Sequence, residues 1–331
     1  MTLVVTQTPY RISFFGGGTD YPAWYREEGG QVLSTSIDKY CYVTSRFFPE
    51  FFPPQHRIVW SSIEVVHSIT DIRHPAVREA LVMLDYDDTR GIEVVYQGDL
   101  PARTGMGSSS AFAVGLLQAL STMRGDKLTQ DELYQGAIAL EQVRLNENVG
   151  SQDQIAVSRG GMNHIRFGPG DTVEITPFEL SDDRRRALKA HLMLFYLGRK
   201  RFASDIAGEV IANFGHRRSE LRDIGSHVDT ATDILRNGGD LDDFGRLLHE
   251  TWQLKRQLGS NVSNATVDDV YARALEAGAL GGKLLGAGGT GFMLLFVPPD
   301  RQDHVVDMMA PHMHVTFDFE TAGCRVVADD V

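Results

Sequence analysis

The sequence predicts an α+β fold built from two units, and three features indicate it. Short β-rich runs separated by turns fill the first hundred residues, amphipathic helical patterns dominate most of the rest, and further strand patterns lie among the late helices. Strands combined with amphipathic helices in this way are typical of layered α+β folds. The chain has 331 residues, 42% of them hydrophobic, which is enough to bury two cores. We place the units at residues 1–180 and 181–331, with a binding cleft between them.

Alternating apolar residues bounded by turns predict the strands of the first unit. One helix is expected near 76–84, and an apolar helix is expected to follow the serines after Gly107. A capping box formed by Thr129 and Glu132 begins a further helix that runs to about residue 146. The strands are expected at 3–7, 10–15, 31–37, 40–48, 56–61 and 92–97, and a hairpin is expected from 162–167 and 172–178.

The second unit begins near Ser181 and combines helices with a few strands. Its helices are expected at about 182–190, 203–213, 216–237, 241–257 and 267–277. Its strands are expected at 191–197, 282–285, 291–297 and 315–320. Because no repeat or low-complexity linker separates the two units, we expect them to share one interface.

Charge and cysteine content exclude several classes of function. A net charge of -12 and a pI near 5.4 argue against general binding to nucleic acids or anionic membranes. Apolar stretches are too short to span a membrane and the N-terminus lacks a signal-peptide pattern, which predicts a soluble cytoplasmic protein. Cys41 and Cys324 are too few for a disulfide framework or a cysteine-based zinc site, and we expect both to be buried apolar residues.

Two glycine-rich loops, at 16–20 and 105–110, are suited to hold an anion or a polyol, yet neither matches a common nucleotide-binding pattern. A P-loop requires a lysine and then a serine or threonine after its last glycine, and no lysine follows Gly107. Residues 286–291 satisfy the dinucleotide-binding pattern, but a buried strand is expected at 292–297 in place of the helix that would bind a pyrophosphate. Both common arrangements are therefore rejected.

The loop at 105–110 favours a different phosphate site. It follows a predicted strand and opens an apolar helix, so free backbone N–H groups and the positive end of the helix dipole would converge on one point. The serine hydroxyls would add ligands for magnesium. The alternative is that these serines only cap the helix, although three of them behind two glycines exceed what a cap requires.

Three charged residues are candidates for chemistry, each with an alternative structural role. Glu141 lies on the apolar face of its helix, where a buried carboxylate requires a partner, either Mg²⁺ or an arginine such as Arg144, unless that edge of the helix stays solvated. Asp153, expected in a loop, would accept a hydroxyl proton during phosphoryl transfer or else stabilise its turn. Arg11 would offset charge on a transferred phosphoryl group or simply pair with a carboxylate.

Three segments, taken together, resemble the motifs of the GHMP kinases, the superfamily that includes galactokinase, homoserine kinase and mevalonate kinase. Residues 9–21, 101–111 and 283–292 match, in order, the sugar-binding motif, the phosphate loop and the motif that closes over the nucleotide phosphates. Thr290 departs from the third motif, which often has glycine there. The resemblance implies a ribosomal-protein-like N-terminal βαβ domain and a ferredoxin-like C-terminal α+β domain.

Within the superfamily, residues 14–22, 147–154 and 248–256 resemble the D-glycero-α-D-manno-heptose 7-phosphate kinases. The resemblance implies that ATP, with Mg²⁺, phosphorylates the anomeric O1 of the heptose phosphate. The product would be the 1,7-bisphosphate, an intermediate toward GDP-heptose for surface polysaccharides. The rival interpretation is a related kinase acting on unphosphorylated fucose, galactose or mannose, and a cationic pocket for a substrate phosphate would distinguish the two.

The resemblance also implies roles for individual residues. Asp153 would be the catalytic base and Arg11 a charge stabiliser, while Ser109 and Glu141 would bind Mg²⁺ and Asp20 would accept hydrogen bonds from the sugar. The nucleotide phosphates would contact Gly105, Gly107, Ser108, Ser109, Ser110, Gly288 and Gly289. The substrate contacts would also include Gly17, Gly18 and Thr19, with the substrate phosphate held by basic residues such as Arg199, Arg201, Lys283 or the pair at 255–256.

Two other classes of protein compete with the kinase interpretation. A non-enzymatic sensor on the same scaffold is disfavoured because Asp153, Glu141 and Arg11 are all present. An RNA-binding protein is disfavoured by the net charge of -12. The expected partners are therefore ATP and a small sugar phosphate, without nucleic acid or membrane, and a homodimer is compatible with the sequence.

Overall fold

The computed structural model describes residues 3–49, 51–198 and 203–329. Within these residues the strands form two sheets, one of nine strands and one of four. The strands are β1 (Leu3–Phe15), β2 (Gly30–Phe47), β3 (His56–Val59), β4 (Ile63–Val66), β5 (Ile92–Gly98), β6 (Met162–Gly168), β7 (Thr172–Pro177), β8 (Leu192–Tyr196), β9 (Gly281–Leu284), β10 (Phe292–Phe296), β11 (Met313–His314), β12 (Phe319–Glu320) and β13 (Arg325–Asp329). The helices are α1 (Pro22–Glu28), α2 (Pro75–Met83), α3 (Ser108–Met123), α4 (Gln130–Ile138), α5 (Gln152–Arg159), α6 (Asp182–His191), α7 (Ala203–Ala212), α8 (Arg218–Arg236), α9 (Leu241–Arg256), α10 (Ala265–Glu276) and α11 (Gln302–Met309).

The long strand β2 lies at the centre of the large sheet. It pairs antiparallel with β1 along most of its length, with β6 beside its first half and with β5 beside its second half. Strand β5 pairs in parallel with β3, which pairs with β4. Because Phe15 at the end of β1 pairs with Leu33 near the start of β2, the first glycine loop emerges at that end of the sheet.

Strands from the end of the chain also join this sheet. Strand β12 pairs with β2, and β13 pairs with the free side of β1. The large sheet therefore takes strands from both sides of residue 181. The division into units at 1–180 and 181–331 stays a prediction.

The smaller sheet is antiparallel in the order β11-β8-β10-β9. Helix α9 packs against β9. Residues Lys255 in α9 and Lys283 in β9 lie on these two adjoining elements and are both buried. Lys283 Nζ donates to the carbonyl oxygen of Ser13, 2.9 Å away, and so connects the small sheet to the end of β1.

Helix α3 packs across β1 and β2, and a glycine allows the close approach. A Cβ atom on Gly115 would lie 2.8 Å from Thr8 Oγ1, so a larger residue would push the helix away from β1. The backbone N–H of Arg11 donates to the carbonyl oxygen of Met106 at 3.1 Å. The second glycine loop, just before α3, is therefore attached to the strand that leads into the first.

Two pairs of predicted strands are single strands in the structure. The segments 3–7 and 10–15 both belong to β1, and the segments 31–37 and 40–48 both belong to β2. The pairing register shifts between Pro9 and Tyr10, and such an irregularity accommodates a residue that lacks an N–H donor.

Other predictions need correction. The helix expected to run to residue 146 ends its α-helical part at Ile138 and continues as a π-helical turn, Ala139–Arg144. The strand expected at 315–320 is confirmed only at its end, where Phe319–Glu320 form β12, because residues 315–318 form no strand. The preceding strand β11 consists of Met313–His314. The elements that were not predicted are α1, α5, α11, β4 and β13. In the described ranges, no helix is both long and apolar enough to cross a membrane.

Candidate active site

A cavity of about 580 Å³ lies where the three glycine-rich segments meet. Its wall includes residues from the first glycine loop, the second loop and the start of α3, the start of α5, and the segment after β9. The predicted site residues that line it are Arg11, Gly17, Gly18, Asp20, Gly105, Gly107, Ser108, Ser109, Asp153, Lys283 and Gly288. The structure thus brings the candidate catalytic, sugar-binding and phosphate-binding residues together around one cavity.

The other predicted site residues do not line this cavity. Thr19 is buried and its hydroxyl donates to the carbonyl oxygens of Gly16, at 2.8 Å, and Gln31, at 2.9 Å. Its role is therefore to hold the first loop in shape. Ser110, Glu141 and Gly289 lie outside the cavity wall, and Arg199 and Arg201 lie outside the described residues.

Asp153 and Arg11 form a two-pronged ion pair at the cavity. Arg11 Nε donates to Asp153 Oδ1 and Arg11 Nη2 donates to Asp153 Oδ2, both at 2.7 Å. Arg11 Nη1 donates to the carbonyl oxygen of Gly105, also at 2.7 Å. The arginine side chain is 4% exposed and the aspartate side chain 25%, so the carboxylate faces the cavity while the guanidinium holds it from behind.

The prediction that Asp153 lies in a loop was wrong. It lies in the first turn of α5, whose N-cap residue is Ser151. A carboxylate in the first turn is stabilised by the helix dipole, because the free N–H groups there carry partial positive charge. This helix was missed because its residues from Gln154 to Ser158 are all buried, which removes the amphipathic pattern.

Asp20 provides a second, more deeply buried carboxylate. Its Oδ1 accepts a hydrogen bond from the N–H of Gly18 at 3.0 Å, and its carbonyl oxygen accepts one from Ser151 N at 2.9 Å. Burial, and then the nearby charge of Asp153, raise the pKa of Asp20 above its usual value. Gly150 lies against this side chain, since a Cβ atom there would lie 1.9 Å from Asp20 Oδ2.

Helix α3 begins at the cavity with its N-terminal amides uncapped by any side chain. Its N-cap is Gly107, in the left-handed region at φ 73°, which favours glycine. The serines do not cap the helix: Ser108 Oγ accepts from Arg103 N at 3.0 Å, and Ser110 Oγ donates to Glu141 Oε2 at 2.7 Å. Ser109 is exposed to the cavity. This end of the helix is therefore suited to bind phosphate.

Glu141 lies in the π-helical turn behind these serines and is fully buried. Its Oε2 also accepts from Gln154 Nε2 at 2.6 Å, whereas Oε1 has no hydrogen-bond partner among the described residues. Burial raises the pKa of Glu141 to about 7, even though nearby hydroxyls at 109 and 110 favour the charged form. Arg144 does not neutralise it, since that guanidinium lies 3.7 Å from Glu79.

These residues fit a magnesium ion shared with phosphate. An unpartnered carboxylate oxygen of Glu141, near the hydroxyl of the cavity-lining Ser109, is an oxygen-donor set of the kind Mg²⁺ uses, with water and phosphate completing its shell. The described part of the chain holds no cluster of three or more His, Cys, Asp or Glu that would form an all-protein metal cage. The fit therefore depends on a phosphate-bearing ligand.

The third glycine segment packs directly on the second loop. A Cβ atom on Gly286 would lie 2.3 Å from Gly105 Cα, and one on Gly291 would lie 2.4 Å from the carbonyl oxygen of Thr104. Both contacts are backbone to backbone, so only glycine fits. Thr290, where related sequences often have glycine, donates from Oγ1 to the carbonyl oxygen of Gly198 at 3.1 Å.

Sequence reasoning missed some polar residues in the cavity wall. Ser13 and Gln152 line it, and Ser13 Oγ and Gln152 Oε1 are buried without a hydrogen-bond partner among the described residues. Burying such atoms is unfavourable unless a ligand or water completes them. Two signals in the sequence could have indicated them. Ser13 lies within the first motif, and Gln152 directly precedes the candidate base Asp153.

Comparison with known proteins identifies the family. The model of the GHMP kinases N terminal domain matches residues 75–161, and the model of the GHMP kinases C terminal region matches residues 230–313. The two matches together span more than half of the chain. The protein therefore belongs to the GHMP kinase family, and the predicted GHMP kinase fold, with its mixture of helices and sheets, is confirmed.

Particular relatives span nearly the whole chain. The D-glycero-alpha-D-manno-heptose 7-phosphate kinase of Campylobacter jejuni is 25% identical, with 96% of each chain covered. The galactokinase of Pyrococcus furiosus is also 25% identical, with 93% of this chain and 92% of that protein covered. A crystal structure described as a D-glycero-D-manno-heptose 1-phosphate kinase from Bacteriodes thetaiotaomicron has a TM-score of 0.80 at 22% identity, covering 98% of this chain and 99% of that one. The last similarity shows a shared fold.

Proposed function

We propose that this protein is an ATP-dependent sugar kinase that phosphorylates the anomeric O1 of D-glycero-α-D-manno-heptose 7-phosphate. The observation that carries the proposal is the Asp153–Arg11 pair, whose carboxylate lines the same cavity as the uncapped start of α3. A proton acceptor and a phosphate-binding helix end are the two parts that phosphoryl transfer to a hydroxyl requires. The full-length similarity to the Campylobacter jejuni heptose 7-phosphate kinase supports the choice of sugar.

The triphosphate of ATP would lie at the start of α3. Backbone N–H groups there and in the third glycine segment, around Gly288, would donate to phosphate oxygens, and the helix dipole would add to their attraction. Glu141 Oε1 and Ser109 Oγ would hold Mg²⁺, and when bound the ion supplies positive charge to the phosphate oxygens. Excluding water from this packed junction of glycine loops would limit hydrolysis.

The sugar would occupy the side of the cavity formed by the first glycine loop. Asp20, Ser13 and Gln152 would bind its hydroxyls, because they offer carboxylate, hydroxyl and amide groups in the cavity wall. Asp153 would accept the O1 proton as the oxygen attacks the γ-phosphorus. Arg11 would keep this carboxylate oriented, since its guanidinium contacts both carboxylate oxygens.

The proposed transfer requires no reactant other than ATP and the sugar. The O1–phosphorus bond forms as the bond between the γ-phosphorus and the bridging oxygen breaks, ADP departs, and the proton moves from O1 to Asp153. The product is the 1,7-bisphosphate, which we place on a route to GDP-heptose for surface polysaccharides.

A kinase for an unphosphorylated sugar is the second candidate. Lys283 Nζ already donates to the carbonyl oxygens of Ser13 and Phe14, both at 2.9 Å, and it is 2% exposed. It is therefore poorly placed to grip a phosphate at the far end of a sugar. The similarity to the Pyrococcus furiosus galactokinase also favours this candidate.

ATP consumption with a panel of acceptors tests the proposal. The panel contains D-glycero-D-manno-heptose 7-phosphate, mannose 6-phosphate, sedoheptulose 7-phosphate, fucose, galactose and mannose, each with Mg²⁺. We expect turnover with the heptose phosphate alone. Turnover confined to an unphosphorylated sugar would favour the second candidate, and no turnover with any acceptor would contradict both kinase assignments.

A further inference from the structure

Lys255 places a buried ammonium group at the wall of the cavity. It lies in the last turn of α9, is 8% exposed and lines the same cavity as Asp153. Its Nζ donates to the carbonyl oxygen of Gly286 at 2.5 Å and to that of Leu284 at 3.2 Å. An ammonium group has three hydrogens, so one remains for a ligand.

Lys255 lies near the part of the cavity that contains the Arg11–Asp153 pair. Gly286, which it contacts, packs against Gly105 of the second loop, and the carbonyl oxygen of Gly105 accepts from Arg11. This chain of contacts leads from Lys255 to the Arg11–Asp153 pair. The ammonium group therefore lies where the two phosphate-binding glycine segments meet.

Arg11 is already committed to other partners. Each of its three guanidinium nitrogens donates to a protein oxygen, two of them to Asp153 and one to Gly105. The charge of Arg11 is thus largely balanced by the carboxylate it orients. A phosphoryl group in transfer carries negative charge on its oxygens and needs a further cation nearby.

We propose that Lys255 is a further catalytic residue, whose ammonium group donates to an oxygen of the phosphoryl group during its transfer from nucleotide to sugar. The inference rests on the proposed kinase function and adds a residue to that site. Lys255 keeps its proton throughout, because the O1 proton goes to Asp153 and Lys255 only neutralises charge.

The charges around Lys255 determine how its contribution varies with pH. Burial and then Arg11 lower the pKa of Lys255 to about 8, against the opposing effects of Asp20 and Asp153. Lys283, on the adjoining strand β9, is a further positive neighbour. Since the charged form is the active one, its contribution is nearly complete below about pH 7 and is lost as the pH rises through about 8 in the unliganded enzyme.

The test compares Lys255→Met and Lys255→Arg with the matched control Arg246→Met. Arg246 lies in the same helix α9 and pairs with Asp243, 2.5 Å away, and it does not line the cavity, so its removal changes the charge without changing the cavity wall. We expect Lys255→Met to lower kcat by about 100-fold or more and the control to stay within about threefold of the wild type. Nucleotide affinity, measured by calorimetry, should change far less than kcat.

The pH profile separates catalysis from a purely structural role. The wild type should lose kcat/KM above about pH 8, and Lys255→Arg should shift that loss to higher pH because arginine stays charged. A lysine that only anchored Gly286 would affect thermal stability and nucleotide binding but would leave the profile unchanged. If the wild-type profile is flat from pH 7 to 10, or Lys255→Met matches the control, the role of Lys255 is overturned. If the wild type transfers no phosphate to any sugar, the kinase assignment itself fails.

Discussion

At the scale of single residues, Asp153 and Arg11 form the pair on which proton transfer is proposed to depend. Replacing Asp153 with Asn keeps the size of the side chain and one of the two hydrogen bonds it accepts from Arg11, but it removes the proton acceptor. We expect kcat to fall by about 10²- to 10⁴-fold, with nucleotide affinity retained. The checks are steady-state kinetics and calorimetry with a non-hydrolysable ATP analogue. Asp131→Asn is the control, because Asp131 pairs with Arg159 of α5 but does not line the cavity. Equal activity of Asp153→Asn and Asp131→Asn would refute the base role of Asp153.

Glu141 is the residue through which the metal requirement is tested. In Glu141→Gln the amide oxygen can still accept the hydrogen bonds from Ser110 and Gln154. The negative charge and the unpartnered carboxylate oxygen are lost. We expect the Mg²⁺ concentration for half-maximal turnover to rise by about tenfold or more. Glu79→Gln, which changes the partner of Arg144 outside the cavity, should leave the Mg²⁺ titration as in the wild type. Identical titrations for both variants would remove Glu141 from the metal site.

At the scale of elements, the loops are held together by contacts that leave no room for side chains. In Gly150→Ala the new Cβ atom would lie 1.9 Å from Asp20 Oδ2. The Asp20 side chain would therefore have to move away from its position in the proposed sugar site. We expect KM for the sugar to rise by about tenfold or more while nucleotide affinity is kept. The free energy of unfolding should fall by about 1–3 kcal/mol.

Gly215→Ala is the control for this substitution. A Cβ atom on Gly215 would meet no described atom within 4 Å, and this glycine has no left-handed φ, so alanine adds neither a clash nor strain there. Kinetic constants and stability of this variant should match the wild type. If Gly150→Ala behaves in the same way, the contact with Asp20 does not position the sugar.

Local signals predicted many of the elements. The capping box of Thr129 and Glu132 is present, and the helix expected after the serines is α3, which already begins at the first of them, Ser108. Helix α5 was missed because it is short and almost entirely buried, and because its N-cap residue, Ser151, makes no side-chain capping bond. Strand β13 was missed because its partner is β1, and pairing between the two ends of a chain leaves no local pattern.

At the scale of the whole molecule, the site is assembled from distant parts of the chain. Arg11 comes from β1 and Asp153 from α5, 142 residues later, and Lys255 comes from α9. Motif resemblance could group the first two, but it could not show that the arginine clamps the aspartate or that Lys255 reaches the same cavity. Both facts depend on packing between elements, which spacing along the sequence does not encode.

Contacts between distant elements also fix the segments that carry the first glycine loop. Gln31 Nε2, at the start of β2, donates to the carbonyl oxygen of Gly225 in α8 at 2.9 Å, and Lys283 joins β9 to the end of β1. Glu28 at the end of α1 pairs with Arg222 of α8 at 3.0 Å. Helix α8 and strand β9 therefore support the segments on either side of the first glycine loop, which suits a site that must align two substrates.

³¹P NMR of the reaction products tests most directly whether this site transfers phosphate to the sugar O1. The full-length protein is incubated with ATP, Mg²⁺ and D-glycero-α-D-manno-heptose 7-phosphate. We expect ADP together with a new phosphate resonance coupled to the anomeric proton, while the 7-phosphate resonance persists. A new phosphate on any other carbon, or ADP with inorganic phosphate alone, would contradict the proposed reaction.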